Sequence, residues 1–469
     1  MLKVDFNSLL HRTDEKFQKL WEILSTLKTK PNEAIQLFQP MLSDTLFDLS
    51  YGYRKISQER MHLISKKHEF SSAWFSKRQK LLASHQEAIV QADAIGRTMG
   101  DSFAWLFYMN DLDLLEQHLK HVETNQMPPG FGGLGEKEFV RRVPRIGKLM
   151  VLYHGTTSIL RLGDVSLIDI KSFRVAGIGE LKTTPKKPGE LTITLLVVGH
   201  KELLPDESVI KVPSLKNTSV TSFPPAMKSR LDRQIDRTVK AISSSHVKKA
   251  GPKLSAKVET FVPEFEKLLR EARVDRFSYA QFGPGLICIV FRRRGKSLCS
   301  LLSSGKQIDF NEKLDDLTQY AMKIVLPGSP HNSLDICSLV YRRDGAAKYQ
   351  LGTLPVFWWP LKTDTIKKLL FQEYMAFTIF NPAHFISKLE AAGFTVNFEN
   401  ERTFNIEYML KDKRFSVMGL PYFIRLICYY LYKEEEVMAI MNRGINAIDE
   451  ANIKPNTRCE FRLGQLPCL

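Results

Sequence analysis

The feature that most constrains this chain is the segment 162–183, LGDVSLIDIKSFRVAGIGELKT. Two short apolar stretches lie on either side of a polar turn, which predicts two strands folded back on each other as a hairpin. In such a hairpin Asp164 would lie opposite Glu180. Because side chains alternate between faces along a strand, Glu180 and Lys182 share one face, whereas Leu181 points to the other. Two carboxylates and one ammonium group therefore converge on one point.

This cluster has the chemistry of a site for a hard divalent cation. Carboxylate oxygens are the ligands that such ions prefer, and an amine beside the ion offsets negative charge on a reacting phosphate. We therefore expect Asp164 and Glu180 to hold the ion and Lys182 to lie beside the phosphate. Asp169 competes with Asp164 for the first position, although its odd spacing places it on the opposite face of the strand. A hairpin turn nearer Arg174 would favour Asp169.

The order of these residues also resembles a known nuclease core. Asp164 and a preceding glycine open one apolar strand, and Glu-Leu-Lys at 180–182 ends the next, a pattern that is similar to the PD-(D/E)XK nuclease superfamily. The resemblance covers residues 135–244 and implies a restriction-endonuclease-like α/β core with a mixed sheet. It further implies that Asp164, Glu180 and the backbone carbonyl of Leu181 bind Mg²⁺ or Mn²⁺. Lys182 would position or activate the attacking water.

The elements that precede the hairpin extend this resemblance. Residues 136–143, EKEFVRRV, read as a short helix that leads into a strand at 149–153. In the superfamily the first helix often contributes a further carboxylate, and Glu136 and Glu138 are equally suited to that place. Both are also explained as acids in the first turn of a helix, where the helix dipole favours them. His154 follows the strand directly, and a lone histidine there is more often structural than in contact with substrate.

The elements that follow the hairpin supply basic side chains. Residues 191–198, LTITLLVV, form an almost unbroken apolar run, which predicts a strand at the centre of a sheet covered on both faces. A helix at 227–242 closes the unit, and by the resemblance its Gln234 approaches the site. The polar side of this helix carries four basic residues suited to phosphate contact, Arg230, Arg233, Arg237 and Lys240. A solvated helix face is the alternative explanation for those four.

The patterns divide the chain into three domains. They are a helical domain at 1–128, the nuclease-like domain at 129–246 and, after a basic linker, an α/β domain of unknown role at 258–469. In the helical domain Gly96, Gly100 and Ala104 are spaced four apart, which would let another element approach closely. Overall the chain is predicted to be a multidomain α/β protein.

A glycine-rich stretch marks the first domain boundary. Residues 126–135, QMPPGFGGLG, contain the pattern GxGxxG. A dinucleotide-binding loop follows a strand and opens a helix, whereas here a helix and two prolines come first. We therefore predict a turn and a linker at this place, with no dinucleotide site.

The C-terminal domain alternates strands and helices. We predict strands at 286–292, 334–341, 356–359 and 394–398, and helices at 262–272, 364–371, 384–392 and 421–438. The run 292–297, RRRGKS, lacks the opening glycine of a P-loop, so we expect no nucleotide site there. Its basic residues, with Arg342 and Arg343, would suit a surface for nucleic acid, and Trp358 and Trp359 are more often buried than stacked on bases.

Charge and cysteine content narrow the classes of function. The 67 Lys and Arg against 51 Asp and Glu, a net charge of +16, favour a polyanionic partner such as nucleic acid. The six cysteines form no CxxC pair, which argues against a structural zinc site or a disulfide framework. We find neither a secretory signal nor a membrane-spanning run, so we expect a cytoplasmic protein without membrane contact.

These observations together predict a metal-dependent nuclease that hydrolyses the phosphodiester bonds of nucleic acid, with DNA as the expected substrate. Its resemblance to bacterial defence nucleases implies a setting in restriction or anti-phage defence. A non-catalytic nucleic-acid-binding or scaffold subunit is the alternative. Assembly as a homo-oligomer or with a partner defence subunit stays open.

Overall fold

The computed structural model describes residues 5–27, 31–108, 111–121, 127–172, 174–187, 190–199, 209–211, 259–294, 307–325, 337–340, 361–398, 404–411, 413–417, 420–428 and 430–450. The chain forms two compact units. The first consists mainly of Met1–Val247, and the second mainly of the residues that follow. No helix among the described residues is both long and apolar enough to cross a membrane.

The first unit begins with helices, as the sequence predicts. They are α1 (Phe6–Ser25), α2 (Pro31–Ser65), α3 (Ser72–Tyr108), α4 (Leu112–Leu119) and α5 (Gly130–Arg142). The apolar residues of α1 at spacings of three and four, among them Phe17, Leu20 and Leu24, are buried. Phe17 packs against Gly96 of α3, where an added Cβ would come within 3.0 Å of its ring. The helices therefore share one core.

Helices α2 and α3 form an antiparallel pair. Arg78 donates to Glu59 over 3.0 Å, and Gln86 donates to Ser57 over 3.3 Å, so a later residue of α3 contacts an earlier residue of α2. Pro40 lies inside α2.

The strands of the first unit form one sheet. They are β1 (Arg145–Ile146), β2 (Leu149–Tyr153), β3 (Val165–Asp169), β4 (Arg174–Lys187), β5 (Glu190–Gly199) and β6 (Val209–Lys211). They lie in chain order, and each neighbouring pair is antiparallel. The expected mixed sheet is therefore wrong for the strands described, because parallel neighbours require a long crossover and these strands follow one another directly.

Among the strands that the structure describes, β5 does not lie at the centre of its sheet. It is next to the edge, since its outer neighbour is the three-residue β6. Within its apolar run only Ile193 and Leu195, which share one face, are fully buried. The prediction of a strand covered on both faces is therefore wrong for the described residues: the run reads as almost continuous because Leu196 and Val198 on the half-buried face are also apolar.

Helix α5 begins earlier than predicted, so the expected turn at 130–135 is wrong. Two of the glycines there, Gly133 and Gly135, serve close packing instead. A Cβ at Gly133 would lie 1.9 Å from the Pro128 carbonyl oxygen, and a Cβ at Gly135 would lie 2.0 Å from Thr183 Oγ1. Gly135 thus lets α5 approach β4 more closely than any side chain would allow.

The second unit contains two sheets and six described helices. Strands β7 (Phe277–Gly283), β8 (Leu286–Arg292), β9 (Cys337–Val340) and β10 (Tyr374–Phe380) form a sheet in the order β7-β8-β10-β9, and β11 (Phe394–Phe398), β12 (Phe404–Leu410) and β13 (Lys413–Val417) form another. The helices are α6 (Val262–Glu271), α7 (Gln307–Val325), α8 (Thr363–Leu370), α9 (Pro382–Ala391), α10 (Leu420–Cys428) and α11 (Glu434–Glu450).

The predicted strands at 286–292 and 394–398 are confirmed, and the predicted helix at 421–438 is wrong because two helices occupy it. The strand predicted at 356–359 lies outside the described residues. Strand β10, buried along its whole length, was not predicted.

Candidate active site

The β3–β4 hairpin brings Asp164 beside Glu180. Val165 pairs with Gly179 across the two strands, and the Asp164 N–H donates to the Gly179 carbonyl over 2.8 Å. The Oδ2 atom of Asp164 accepts a hydrogen bond of 2.6 Å from the Leu181 N–H. Asp164 therefore contacts the backbone of β4 on both sides of Glu180.

Glu180 and Lys182 lie on the same face of β4, as the alternation of side chains along a strand requires. Lys182 Nζ donates to Glu180 Oε1 over 2.8 Å. The side chains of Lys182 and Glu180 are only 17% and 14% exposed, so their charges are poorly screened by water. The structure thus brings Asp164, Glu180 and Lys182 together.

A third carboxylate comes from α5. Tyr153, the last residue of β2, donates its phenolic proton to Glu136. Burial, together with the negative charge of Glu180, raises the pKa of Glu136 to about 7, although the bond from Tyr153 acts in the opposite direction. Glu138 instead pairs with Arg141 and Arg142 beside it on the helix. Of the two acids considered from the sequence, Glu136 is the one close to the site.

The three carboxylates leave the site with an excess of negative charge. Burial raises the pKa of Asp164 to about 8, and the charges of Glu180 and Glu136 add to that shift. The Leu181 N–H and the Lys182 ammonium group lower it, but they do not outweigh the other causes. The Lys182 ammonium group therefore faces three acids, and a bound cation would further relieve their repulsion.

The carboxylates at this site suit Mg²⁺ better than an ion whose ligands must all come from the protein. In the part of the chain that the structure describes, no group of three or more His, Cys, Asp or Glu is arranged to hold a metal ion. Magnesium, however, keeps several waters and is usually bound through one or two carboxylates. Asp164 and Glu180 fit that requirement.

Asp169, the competitor of Asp164, lies at the other end of the hairpin. It pairs with Arg174 across the turn. Its carboxylate accepts hydrogen bonds from the Lys171 N–H over 3.1 Å and from the Ser172 hydroxyl over 2.6 Å. These bonds lower the pKa of Asp169, and the bond from Ser172 has the larger effect. Asp169 is thus engaged at the turn, away from Glu180.

His154 is buried behind the strands. One ring nitrogen, Nδ1, lies 3.0 Å from the Gly163 carbonyl oxygen, and the other, Nε2, lies 2.6 Å from Ser166 Oγ. Burial lowers the pKa of His154 to about 4, so the ring is neutral at physiological pH. These contacts match the structural explanation for this histidine.

Several predicted residues lie outside the described residues. They are Gln234, the four basic residues Arg230, Arg233, Arg237 and Lys240, and Lys296, Arg342, Arg343, Trp358 and Trp359 of the C-terminal domain. The described arginines of that second cluster contact their own unit. Arg293 donates to the Gln372 carbonyl over 3.2 Å, and Arg294 pairs with Asp275 at 2.9 Å.

No pattern in the sequence points to the role of Tyr153. It lies in the strand LMVLY, whose five residues are all buried and read as an ordinary apolar run. Its hydroxyl is the polar end of that run, and buried tyrosine hydroxyls usually have a partner. That partner, Glu136, is found only in the folded chain.

Comparisons with models of protein families, with curated proteins and with solved structures found no match to this chain.

Proposed function

We propose that the first unit is a metal-dependent nuclease that hydrolyses phosphodiester bonds, with DNA as its substrate. The observation that carries the proposal is the convergence of Glu136, Asp164, Glu180 and Lys182, from three separate elements, on one largely buried acidic site. The net charge of +16 supports a polyanionic substrate, since it attracts phosphates to the molecule as a whole.

The order of these elements supports a restriction-endonuclease-like core. Helix α5 carries Glu136, Asp164 immediately precedes β3, and β4 carries Glu180 and Lys182. This order is the one that the resemblance to the PD-(D/E)XK superfamily implies. The resemblance also supports a role in bacterial restriction or anti-phage defence.

Asp164 and Glu180 would hold Mg²⁺ or Mn²⁺, and the backbone carbonyl of Leu181 would complete the set of protein ligands. When bound, the ion supplies positive charge that stabilises the negative charge developing on the phosphodiester oxygens. The remaining chemistry belongs to the side chains around the two acids.

Lys182 is placed to orient the attacking water and to neutralise negative charge. Its ammonium group has three donors, and Glu180 accepts from one of them at 2.8 Å. Held beside Glu180, this group would place positive charge next to a phosphate bound at the site. Because the group is mostly buried, its charge acts on the substrate with little screening.

Glu136 is suited to hold a proton close to the reaction. With a pKa raised to about 7, it exchanges a proton near neutral pH more readily than an ordinary glutamate does. Tyr153 donates to it, which restrains the carboxylate.

The test is cleavage of plasmid DNA by the full-length protein in Mg²⁺ and in EDTA. We expect cleavage in Mg²⁺ alone. Lys182→Ala and Glu180→Gln should each lower the rate by about 10² to 10³-fold, the effect of removing one charge that stabilises a transition state. Both proteins should keep their affinity for DNA in EDTA.

Two control variants match these substitutions. Lys16 forms an ion pair of 2.9 Å with Asp48, similar in length to the pair of Lys182, and Glu138 forms exposed pairs with two arginines of α5. Lys16→Ala and Glu138→Gln should leave the rate unchanged. DNA binding without cleavage by the unaltered protein would favour a non-catalytic subunit, and undiminished cleavage by a folded Lys182→Ala protein would exclude the mechanism.

A further inference from the structure

A chain of four buried polar side chains runs behind the acidic site. Tyr108 of α3 contacts His118 of α4 at 2.9 Å, between the hydroxyl and Nε2, and contacts Ser166 of β3 at 2.5 Å. Ser166 in turn contacts His154 Nε2 at 2.6 Å. The four side chains are at most 3% exposed, so no water competes for these bonds.

The contacts of His118 determine which atom donates each hydrogen bond in the first half of this chain of side chains. Its Nδ1 atom accepts hydrogen bonds from the N–H groups of Arg161, over 3.1 Å, and Leu162, over 3.0 Å. Nδ1 therefore carries no proton, and the proton of the neutral ring is on Nε2. Nε2 then donates to the Tyr108 hydroxyl.

The contacts of His154 determine the second half. Its Nδ1 atom lies 3.0 Å from the Gly163 carbonyl oxygen, which can only accept, so Nδ1 carries the proton. Nε2 consequently accepts from the Ser166 hydroxyl, and Ser166 accepts from Tyr108. Each hydrogen bond between these side chains therefore has a defined donor, beginning with His118 and ending at the Gly163 carbonyl, which accepts.

Both ends of the chain bind the same short segment. His118 holds the N–H groups of Arg161 and Leu162, and His154 holds the carbonyl of Gly163, so the two histidines hold groups on three successive residues before Asp164.

The segment adopts a conformation that glycine takes without strain. Gly163 has φ +72°, and a Cβ there would lie 2.9 Å from the Gly179 carbonyl oxygen. Such a conformation is strained for residues other than glycine. The hydrogen bonds of the histidines therefore select one path of the chain into Asp164.

Helix α3 holds the earlier part of the same connection. Asp101 accepts hydrogen bonds from the N–H groups of Ser158, over 2.6 Å, and Ile159, over 3.1 Å. Arg97 donates to the Thr157 carbonyl over 3.0 Å. Gly100 allows this approach, since a Cβ there would lie 2.0 Å from the Thr156 carbonyl oxygen. The connection from β2 to β3 is thus held by polar side chains along its length.

We propose that His118, Tyr108, Ser166 and His154 are positioning residues that hold the carboxylate of Asp164 against β4. The inference rests on the proposed function for its catalytic consequence, but not for its structural one. Buried polar groups destabilise a core unless they are hydrogen-bonded, and a set whose hydrogen bonds are all made specifies one arrangement of the core. Here the arrangement they specify is the path into Asp164.

The position of Asp164 can be measured without any activity. The Leu181 N–H donates to Asp164 Oδ2, so its hydrogen exchange reports whether the carboxylate stays in place. Ser166→Ala and Tyr108→Phe each remove one hydroxyl from the middle of the chain. We expect both to accelerate exchange of the Leu181 amide by about tenfold or more relative to the unaltered full-length protein, because local opening becomes easier.

Ser102→Ala is the matched control. Ser102 is also fully buried, and its hydroxyl donates to the Thr98 carbonyl within α3. It should lower the melting temperature to a similar extent as Ser166→Ala and leave the exchange of Leu181 unchanged. Tyr108→Phe, which removes only one oxygen atom, replaces Ser166→Ala should the latter fail to fold.

The catalytic consequence is measured on plasmid DNA in Mg²⁺. Partners that orient metal-binding side chains typically contribute about 10 to 100-fold to activity. We expect Ser166→Ala and Tyr108→Phe to lower kcat by this factor without changing the Kd for DNA in EDTA. The double variant should lose no more than the stronger single variant, because both substitutions interrupt one chain.

Each result has one meaning. Unchanged exchange of Leu181 in both single variants overturns the inference, whatever the activity. Faster exchange with full cleavage activity overturns the catalytic consequence, since the carboxylate would then move without an effect on cleavage. If the unaltered protein cleaves nothing, the proposed nuclease is wrong, while faster exchange of Leu181 would still support the structural role of the four residues.

Discussion

Asp164 and Leu181 are joined by a hydrogen bond of 2.6 Å from the Leu181 N–H to the carboxylate of Asp164. The bond holds Asp164, which precedes β3, against the backbone of β4 at the position between Glu180 and Lys182. It also leaves this carboxylate buried beside Glu180, where like charges and burial together raise its pKa. Several consequences for stability and activity can be measured.

The stability of the metal-free protein should decrease as pH rises above about 6.5. Burial lowers the pKa of His154 to about 4 and that of His118 well below its usual value, so both make the unfolding free energy increase as pH rises to about 6.5. Burial raises the pKa of Asp164 to about 8 and that of Glu136 to about 7, so both acids make it decrease as pH rises to those values.

Below pH 6.5 the two effects oppose each other, and above it only the acids titrate. Each titrating group changes the unfolding free energy by up to about 1.4 kcal/mol per pH unit, so we expect a loss of about 2 kcal/mol between pH 6.5 and 8. Urea unfolding in EDTA measures it. Asp164→Asn should remove most of this decrease, whereas Asp169→Asn, at the exposed turn, should not. An equal slope in both variants would contradict the assignment.

Divalent cations should stabilise the folded protein through the same acids. An ion that binds only the folded state at a hundred times its Kd raises the unfolding free energy by about 2.7 kcal/mol. Thermal unfolding at increasing Mg²⁺ should therefore show a rising Tm that Asp164→Asn and Glu180→Gln abolish. The same shift in all three proteins would mean that the ion binds elsewhere.

Gly135→Ala should destabilise the first unit by about 1 to 3 kcal/mol, the usual effect of overpacking a filled site. The new methyl group would overlap the Thr183 side chain, whose Oγ1 lies 2.0 Å from the position of the Cβ. The increased separation of α5 and β4 should also reduce cleavage, because Glu136 is the next residue. Denaturant unfolding and the plasmid assay measure the two effects.

Gly132→Ala is the control in the same helix. No atom lies within 4 Å of a Cβ at this position, and alanine favours helix over glycine by about 1 kcal/mol. This variant should therefore be slightly more stable. Thr183→Ala should partly rescue Gly135→Ala. Destabilisation of the same size at both glycines would indicate a general sensitivity of α5.

Affinity for DNA should decrease steeply with salt. Each phosphate contact releases condensed counterions and contributes about 0.9 to the slope of log K against log salt on duplex DNA. Replacing Arg233 and Arg237 with glutamate should weaken binding to all sequences alike and reduce the slope by about two. Anisotropy titrations in EDTA at several salt concentrations measure this, and Lys182→Ala should leave the slope nearly unchanged. An unaltered slope in the double reversal would mean that these arginines do not contact DNA.

Local patterns in the sequence were enough to predict much of the secondary structure. The stripe of apolar residues in α1 and the bounds of β2, β8 and β11 follow from periodicity and turn residues, which act over a few positions. The approach of Asp164 to Glu180 also followed from the chain itself, because a hairpin pairs residues at equal distances from its turn. The short separation in sequence made this part of the site predictable.

The remaining parts depended on contacts between distant segments. Nothing in the segment 130–142 distinguishes Glu136 from Glu138, and only the packing of Gly135 on Thr183 brings one of them towards Tyr153. Likewise, Tyr108 and Ser166 are 58 positions apart and meet only because α3 packs on the sheet. The sequence by itself determined the hairpin with its two acids and lysine, since neighbouring residues specify a turn and an alternation. Only the tertiary structure decided which further side chains surround them, because burial and long-range packing, not local spacing, bring those groups together.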